Sequence, residues 1–130
     1  MAKEIEIQIR FNDLDGYGHV NNSVYLSYCE IARTNCYADI FHNSIENKMW
    51  FILTSAEVHY KKFLKLEDKA FVRVWLSSAK GVLFTFEYLI HDGNGTIYAT
   101  AKTTHAVYDA VKNKPIRVPK VILDGVETVE

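Results

Sequence analysis

The segment Ile5–Ile40, IEIQIRFNDLDGYGHVNNSVYLSYCEIARTNCYADI, changes its hydrophobic period partway along, and that change decides the fold. Ile5, Ile7, Ile9 and Phe11 alternate with Glu6, Gln8 and Arg10, the period of two that marks a half-buried strand. Asn12 through His19 is polar and carries two glycines, so it reads as a loop. Beyond it Tyr25, Cys29, Ala32, Cys36 and Ile40 step by four, three, four and four, the stripe of a helix packed on a core. Ser23, Ser27, Glu30 and Thr34 make a narrower polar stripe, and the remaining positions are mostly apolar. The pattern predicts one long central helix, buried over most of its girth. Asn21 or Asn22 suits its N-cap, because the Asn side chain accepts a bond from a first-turn N–H.

From residue 51 to 109 the period returns to two. Ala56, Val58 and Tyr60 alternate with Glu57, His59 and Lys61, and Val72, Val74 and Leu76 form the next apolar face. Val82, Phe84, Phe86, Tyr88 and Ile90 share one side of a long strand, as do Ile97, Ala99, Ala101, Thr103 and His105 in the last. Ser77–Gly81 and Asp92–Gly95 read as hairpin turns, since Gly and Asn tolerate positive φ. The tail after Pro115 and Pro119 reads as irregular or as a short edge element. An α+β architecture is expected, with an antiparallel sheet of about five strands, the last four a meander, curled around the helix so that each buries the other's apolar surface. No repeat, low-complexity tract or linker divides residues 1–130, which read as a single domain.

Hydrophobic residues make up 48% and charged residues 24%, enough to fill a core without a disulfide scaffold. Fifteen basic against sixteen acidic residues leave a net charge of -1, which lacks the basic footprint of a nucleic-acid binder or a polybasic membrane anchor. The opening residues show no signal-peptide pattern, and no apolar run reaches the ~18 residues of a membrane span. Cys29 and Cys36 share a helix face seven residues apart and read as buried, reduced thiols, in keeping with a cytoplasmic location.

The loop between strand and helix carries the chemistry. A helix N-terminus offers unpaired N–H groups and partial positive charge, which polarise a carbonyl and stabilise the oxyanion formed on attack. Asp15 lies just before that end, where its carboxylate can act as general base on a water or attack directly. A calcium loop starting at Asp13 would place Tyr17 and Val24 at positions that need oxygen ligands, and no second His or Cys stands at metal spacing from His19, so no metal is expected. Capping of the turn through backbone N–H groups is the preferred reading of Asp13 and the alternative reading of Asp15. His19 suits either a structural or a catalytic role. His59 and His105 read as ordinary strand residues. No Gly-x-Ser-x-Gly elbow is present, and the mid-helix cysteines lack the helix N-terminus that would activate a thiol.

The pattern Asp13-x-Asp15-x-x-Gly18-His19-Val20-Asn21-Asn22-x-x-Tyr25, followed by Glu30-Ile31-Ala32-Arg33 and Glu57-Val58-His59-Tyr60-Lys61-Lys62-Phe63-Leu64, resembles the 4-hydroxybenzoyl-CoA thioesterase-like branch of the hotdog superfamily. The resemblance spans essentially the whole chain. It implies a hotdog fold and acyl-CoA thioester hydrolysis, with the catalytic carboxylate at Asp15 and the main oxyanion donor at the backbone N–H of Asn22. Some relatives carry His at the position of Asn22, so a role for its side chain does not follow. Plant acyl-carrier-protein thioesterases share a similar His-Val-Asn-Asn segment with an Asn in the site, which makes Asn21 a second candidate. Lys80-Gly81 resembles the region where relatives hold the nucleotide, and Lys61, Lys62 and Lys65 are further cations for the phosphates of coenzyme A. Coenzyme A enters as part of the substrate, and no resident cofactor is expected. The family forms dimers with sites at the subunit interface, usually paired into tetramers, so a homo-oligomer is expected. Tyr17, Tyr25, Tyr28, Phe84 and Trp50 are candidates to line an acyl tunnel or to fill the core. The rival readings are a carrier-protein thioesterase and a non-catalytic acyl-CoA binder.

Overall fold

The computed structural model describes residues 3–127. Strand β1 (Lys3–Ile7) leads into a single 3-10 turn at Phe11–Asp13 and the glycine-bearing loop, followed by helices α1 (Val24–Cys36) and α2 (Ala38–Glu46). Strands β2 (Met49–Tyr60), β3 (Ala70–Lys80), β4 (Leu83–His91) and β5 (Ile97–Asp109), the two-residue β6 (Lys114–Pro115) and helix α3 (Lys120–Asp124) follow. The curled antiparallel sheet with α1 against one face is a hotdog fold.

The strands lie in the order β1-β3-β4-β5-β2, with β6 on β5. Only β3, β4 and β5 form the expected meander. β2 pairs instead with β5 at the far edge, from Met49 opposite Asp109 to Tyr60 opposite Ala99. The connection from β2 to β3 is too long for a hairpin and has its own anchor, the fully buried Leu64, so the two strands need not be neighbours. The turn between β3 and β4 is tighter than the sequence suggested: β3 runs through to Lys80, which pairs with Leu83 across Gly81-Val82, with Gly81 at φ 64°.

One face of the sheet presents Val72, Val74, Leu76, Phe84, Phe86, Tyr88, Ile90, Ala99 and Ala101, all buried. Onto it α1 lays Tyr25, Tyr28, Cys29 and Ala32. Burial of each large side chain contributes about 1.5–3 kcal/mol.

The single helix of the sequence pattern is two helices. The side chains of Thr34 and Asn35 bond back to the carbonyls of Glu30 (2.8 Å) and Ile31 (2.7 Å), a local competition that weakens the last turn of α1. Tyr37 then leaves helical geometry at φ −118°, ψ 34°, its ring buried against Phe86. Nor is α1 covered all round: Glu30 and Ile31 face outward, and Cys36 is only half-buried. The apolar positions outside the Tyr25–Ala32 stripe outnumber what one sheet face can cover. The tail holds more order than expected. Apolar Val121, Ile122 and Leu123 form α3 directly after Pro119, with Ile122 fully buried and Val126 bridged to Leu76.

A polar chain crosses this core. The Arg33 guanidinium donates to the Tyr88 hydroxyl (3.3 Å), which lies 2.6 Å from the Thr103 hydroxyl, itself 3.0 Å from Nε2 of His105. Burial, with Arg33 adding repulsion, pushes the imidazole of His105 down to about 4, so it is neutral at pH 7.

A second buried polar group anchors the loop. Asp13 is 2% exposed, and its carboxylate takes the Arg10 N–H (3.0 Å), the Arg10 guanidinium (3.0 Å) and the Tyr28 hydroxyl (2.7 Å). Burial alone would raise its carboxyl, yet these donors together hold it below the usual carboxylate range. Its backbone carbonyl accepts the N–H of Asn21 at 2.8 Å. Asp13 therefore caps the turn, as its sequence context suggested, and also ties both ends of the loop to α1.

Two outcomes follow from these buried groups. An unfolded chain with an ordinary imidazole near 6.5 binds a proton that native His105 refuses until about 4. The corresponding stability is fully present above pH 6.5 and is lost as pH falls toward 4, by up to about 3 kcal/mol. Urea melts between pH 7 and 4.5 should show this loss, and a folded His105→Gln variant should flatten it. Tyr28→Phe, which leaves the Asp13 carboxylate short of a donor, should cost about 1–3 kcal/mol in the same melts at pH 7.

Candidate active site

Between Asp13 and Asn21 the backbone forms a closed loop. The N–H of Asp15 donates to the His19 carbonyl (2.7 Å), Gly18 N–H donates to the Asp15 carbonyl (3.1 Å), and Leu14 bridges to Val20. Gly18 sits at φ 79°, a conformation that a side chain would strain. Inside this loop one carboxylate oxygen of Asp15, Oδ1, accepts the N–H groups of Tyr17 (2.8 Å) and His19 (3.3 Å). Oδ2 meets no donor among the described residues. Asp15 thus makes the turn-capping bonds that were the alternative to a catalytic role, but with one oxygen only.

The segment after β2 closes the other side. Val20 N–H donates to the Leu64 carbonyl (2.8 Å), and His19 bridges to Lys65. The imidazole of His19 lies flat on Phe63, with ring centroids 4.3 Å apart and planes at 7°. Tyr60, at the end of β2, donates its hydroxyl to the carbonyl of Asn22 at 2.9 Å and stands edge-on to Tyr25 at 4.9 Å.

The N-cap position of α1 is Ser23, not Asn21 or Asn22, and Asn21 braces the turn that leads to it. Its side-chain Oδ1 accepts both the N–H and the hydroxyl of Ser23 at 3.0 Å, and its carbonyl accepts the N–H of Val24 at 2.9 Å. The N–H groups of Val20, Asn21, Ser23 and Val24 are all engaged. That of Asn22 has no partner among the described residues, so it is the open donor of the turn.

These groups surround a cavity of about 800 Å³. Asp15, His19, Asn22, Lys61 and Lys62 all line it, together with Tyr17, Val20, Tyr25, Tyr60 and Phe63. Of the residues expected at the site, Asn21 lies outside the lining and braces the turn before α1. Lys80 and Gly81 stand apart within the chain. Their turn adjoins the row Leu83–Ala106–Ile52, whereas the cavity adjoins Tyr60–Ala99, roughly 20 Å along the strands. Among the tunnel candidates, Tyr17 and Tyr25 line the cavity, Tyr28 is taken by Asp13, Phe84 is core and Trp50 lies exposed on β2. Tyr60 and Phe63 were not singled out from the sequence, although both fall in the Tyr-Lys-Lys-Phe-Leu segment whose resemblance was noted.

Other nucleophiles lie elsewhere. Burial pushes the Cys29 thiol up to about 12, so it stays protonated inside α1. His105 is core, and His59 is exposed beside Glu57 at 2.9 Å. No helix among the described residues is long and apolar enough to cross a membrane.

Comparison with known proteins places this geometry in a family. Residues 9–126 match the model of the thioesterase-like superfamily. The chain is 26% identical over 120 residues to the acyl-CoA thioesterase YbgC of Haemophilus influenzae, covering 89% of this chain and 88% of that one. It is 28% identical over 123 residues to the chloroplastic acyl-acyl carrier protein thioesterase ATL3 of Arabidopsis thaliana, covering 92% of this chain and 64% of ATL3. Among solved structures, a thioesterase of Thermus thermophilus complexed with coenzyme A and zinc superposes with a TM-score of 0.81 at 28% identity, covering 95% and 90% of the two chains. This chain belongs to the thioesterase-like superfamily and is a thioester hydrolase of the hotdog fold.

Proposed function

We propose that the protein hydrolyses acyl-coenzyme A thioesters, with Asp15 as the catalytic carboxylate and the backbone N–H of Asn22 as the oxyanion donor. The observation that carries this reading is the presence, on one cavity, of a carboxylate with an uncommitted oxygen and an uncommitted N–H at the start of a helix. Oδ1 of Asp15 is held by two backbone donors, which orients Oδ2. That oxygen serves either as base, taking a proton from a water that attacks the thioester carbonyl, or as nucleophile, forming an anhydride that water then cleaves. On either route the carbonyl oxygen becomes an anion that Asn22 N–H and the positive end of α1 stabilise. Collapse expels coenzyme A as a thiolate, a leaving group that needs little protonation because thiols ionise near 8.5. His19, stacked on Phe63, keeps the loop shaped around Asp15. Lys61 and Lys62, on the cavity wall, face the phosphates of the coenzyme. No cofactor beyond the substrate's own coenzyme A is invoked.

A homo-oligomer is part of the same reading. β2 is a sheet edge paired on one side only, and it exposes Trp50, Ile52 and Leu53. A second copy on that edge would cover them, and in such an assembly Lys80-Gly81 of one copy is free to serve the cavity of another.

Thiol release from a panel of acyl-CoAs tests the proposal. Asp15→Asn should lower kcat by about 100-fold or more. Asn22→Pro removes the donor, an N–H that holds no partner among the described residues, and should lower kcat by about 10²–10³-fold in a folded protein. Failure of folded wild type to turn over any acyl-CoA would sink the reading and favour a carrier-protein substrate, the reading supported by the similarity to ATL3, or binding alone. Exchange of both Lys61 and Lys62 for Ala should raise KM for acyl-CoA about tenfold while leaving short thioesters without phosphates unaffected.

A further inference from the structure

The contact between Tyr60 and Asn22 has a chemical consequence beyond packing. Tyr60 lies 38 residues from Asn22 in sequence, yet its hydroxyl donates to the Asn22 carbonyl at 2.9 Å. Its ring is fixed independently, at 90° to the buried ring of Tyr25 and 4.9 Å from it. The backbone just beyond is held as well, because the N–H groups of Lys61 and Lys62 both donate to the Tyr98 carbonyl, at 2.7 and 3.1 Å. The hydroxyl is therefore mounted on the sheet and not on a loose loop.

Asn22 is held by its neighbours and by Tyr60. Before it, Asn21 N–H is tied to the Asp13 carbonyl at 2.8 Å; after it, Ser23 N–H is tied to Asn21 Oδ1 at 3.0 Å. These bonds tie the turn to itself and to Asp13, and the Tyr60 hydroxyl on the Asn22 carbonyl ties it in addition to the sheet edge. The Asn22 N–H lies in the preceding peptide plane, whose Asn21 carbonyl is held by the Val24 N–H at 2.9 Å, so the turn faces the cavity as one unit and the Tyr60 hydroxyl sets how that unit is turned. Hydrogen bonds weaken steeply as the donor angle closes, so a few tens of degrees decide how well this N–H meets an oxyanion.

We infer that Tyr60 is a positioning residue for thioester hydrolysis, its hydroxyl aiming the Asn22 N–H into the cavity from the rigid sheet edge. The inference rests on the reading of Asn22 as oxyanion donor. Tyr60 acts through the Asn22 peptide and exchanges no proton with the substrate. Its hydroxyl is accessible enough that water can replace it on the carbonyl, so removing it leaves the fold intact and the aim loosened.

The test is a double-mutant cycle on full-length protein, with Tyr60→Phe, Asn22→Pro and the pair, assayed by thiol release on the acyl-CoA that wild type prefers. Tyr60→Phe should lower kcat about tenfold, with KM within about twofold and a pH–rate profile of unchanged shape. In the Asn22→Pro background, where no N–H remains to be aimed, Tyr60→Phe should have no further effect on kcat. An unchanged kcat in folded Tyr60→Phe would overturn the assignment alone, and so would an equal loss in both backgrounds. Loss of one limb of the pH profile would make Tyr60 a proton donor and overturn it too. Absence of turnover in folded wild type would overturn both the acyl-CoA reading and this one.

Discussion

A buried carboxylate is tolerable only when its charge is met by well-placed donors, and the loop of this protein is organised around meeting that condition at Asp13. Arg10 supplies an N–H and a guanidinium from the segment that follows the first strand, and Tyr28 supplies a hydroxyl from the second turn of α1. The same residue accepts Asn21 N–H on its carbonyl. One residue therefore holds the strand, the loop and the helix start in a fixed relation. The site inherits its geometry from this clamp, because Asp15 and Asn22 sit two residues beyond Asp13 and one beyond Asn21.

Two aspartates separated by one residue are bonded differently because their surroundings differ. Asp13 is enclosed, and every donor around it belongs to the protein. Asp15 is half-exposed on the cavity, with Oδ1 bound to the backbone and Oδ2 without a donor among the described residues. The helix that follows adds a donor that its own cap leaves unused. In the proposed function, carboxylate and N–H are preorganised by bonds that neither of them needs to break for chemistry to occur.

The far edge of the sheet completes the arrangement. Because β2 crosses to pair with β5, its end at Tyr60 and the segment Lys61–Lys65 come back over the loop, where Phe63 supports His19 and Leu64 takes the N–H of Val20. Sheet order thereby places a second wall opposite Asp15. The same crossing leaves the other half of β2 as an uncovered edge with Trp50, Ile52 and Leu53 outward.

The sequence by itself determined the order of the first strand, the helical stretch and the later strands, the apolar faces of β3, β4 and β5, and the polar, glycine-bearing loop before α1. These features are legible because alternation, helical stripe and turn residues are local patterns, readable within a dozen positions. The break at Tyr37 was hidden, since it depends on side chains of Thr34 and Asn35 competing for carbonyls that any helix would offer. The move of β2 to the β5 edge and the hydroxyl of Tyr60 on Asn22 were hidden too. So was the distance of Lys80 and Gly81 from the cavity. Only the tertiary structure decided these, because each depends on which distant segments share a hydrogen bond or a sheet edge, and hydrophobic period records that a side chain is buried without recording against what.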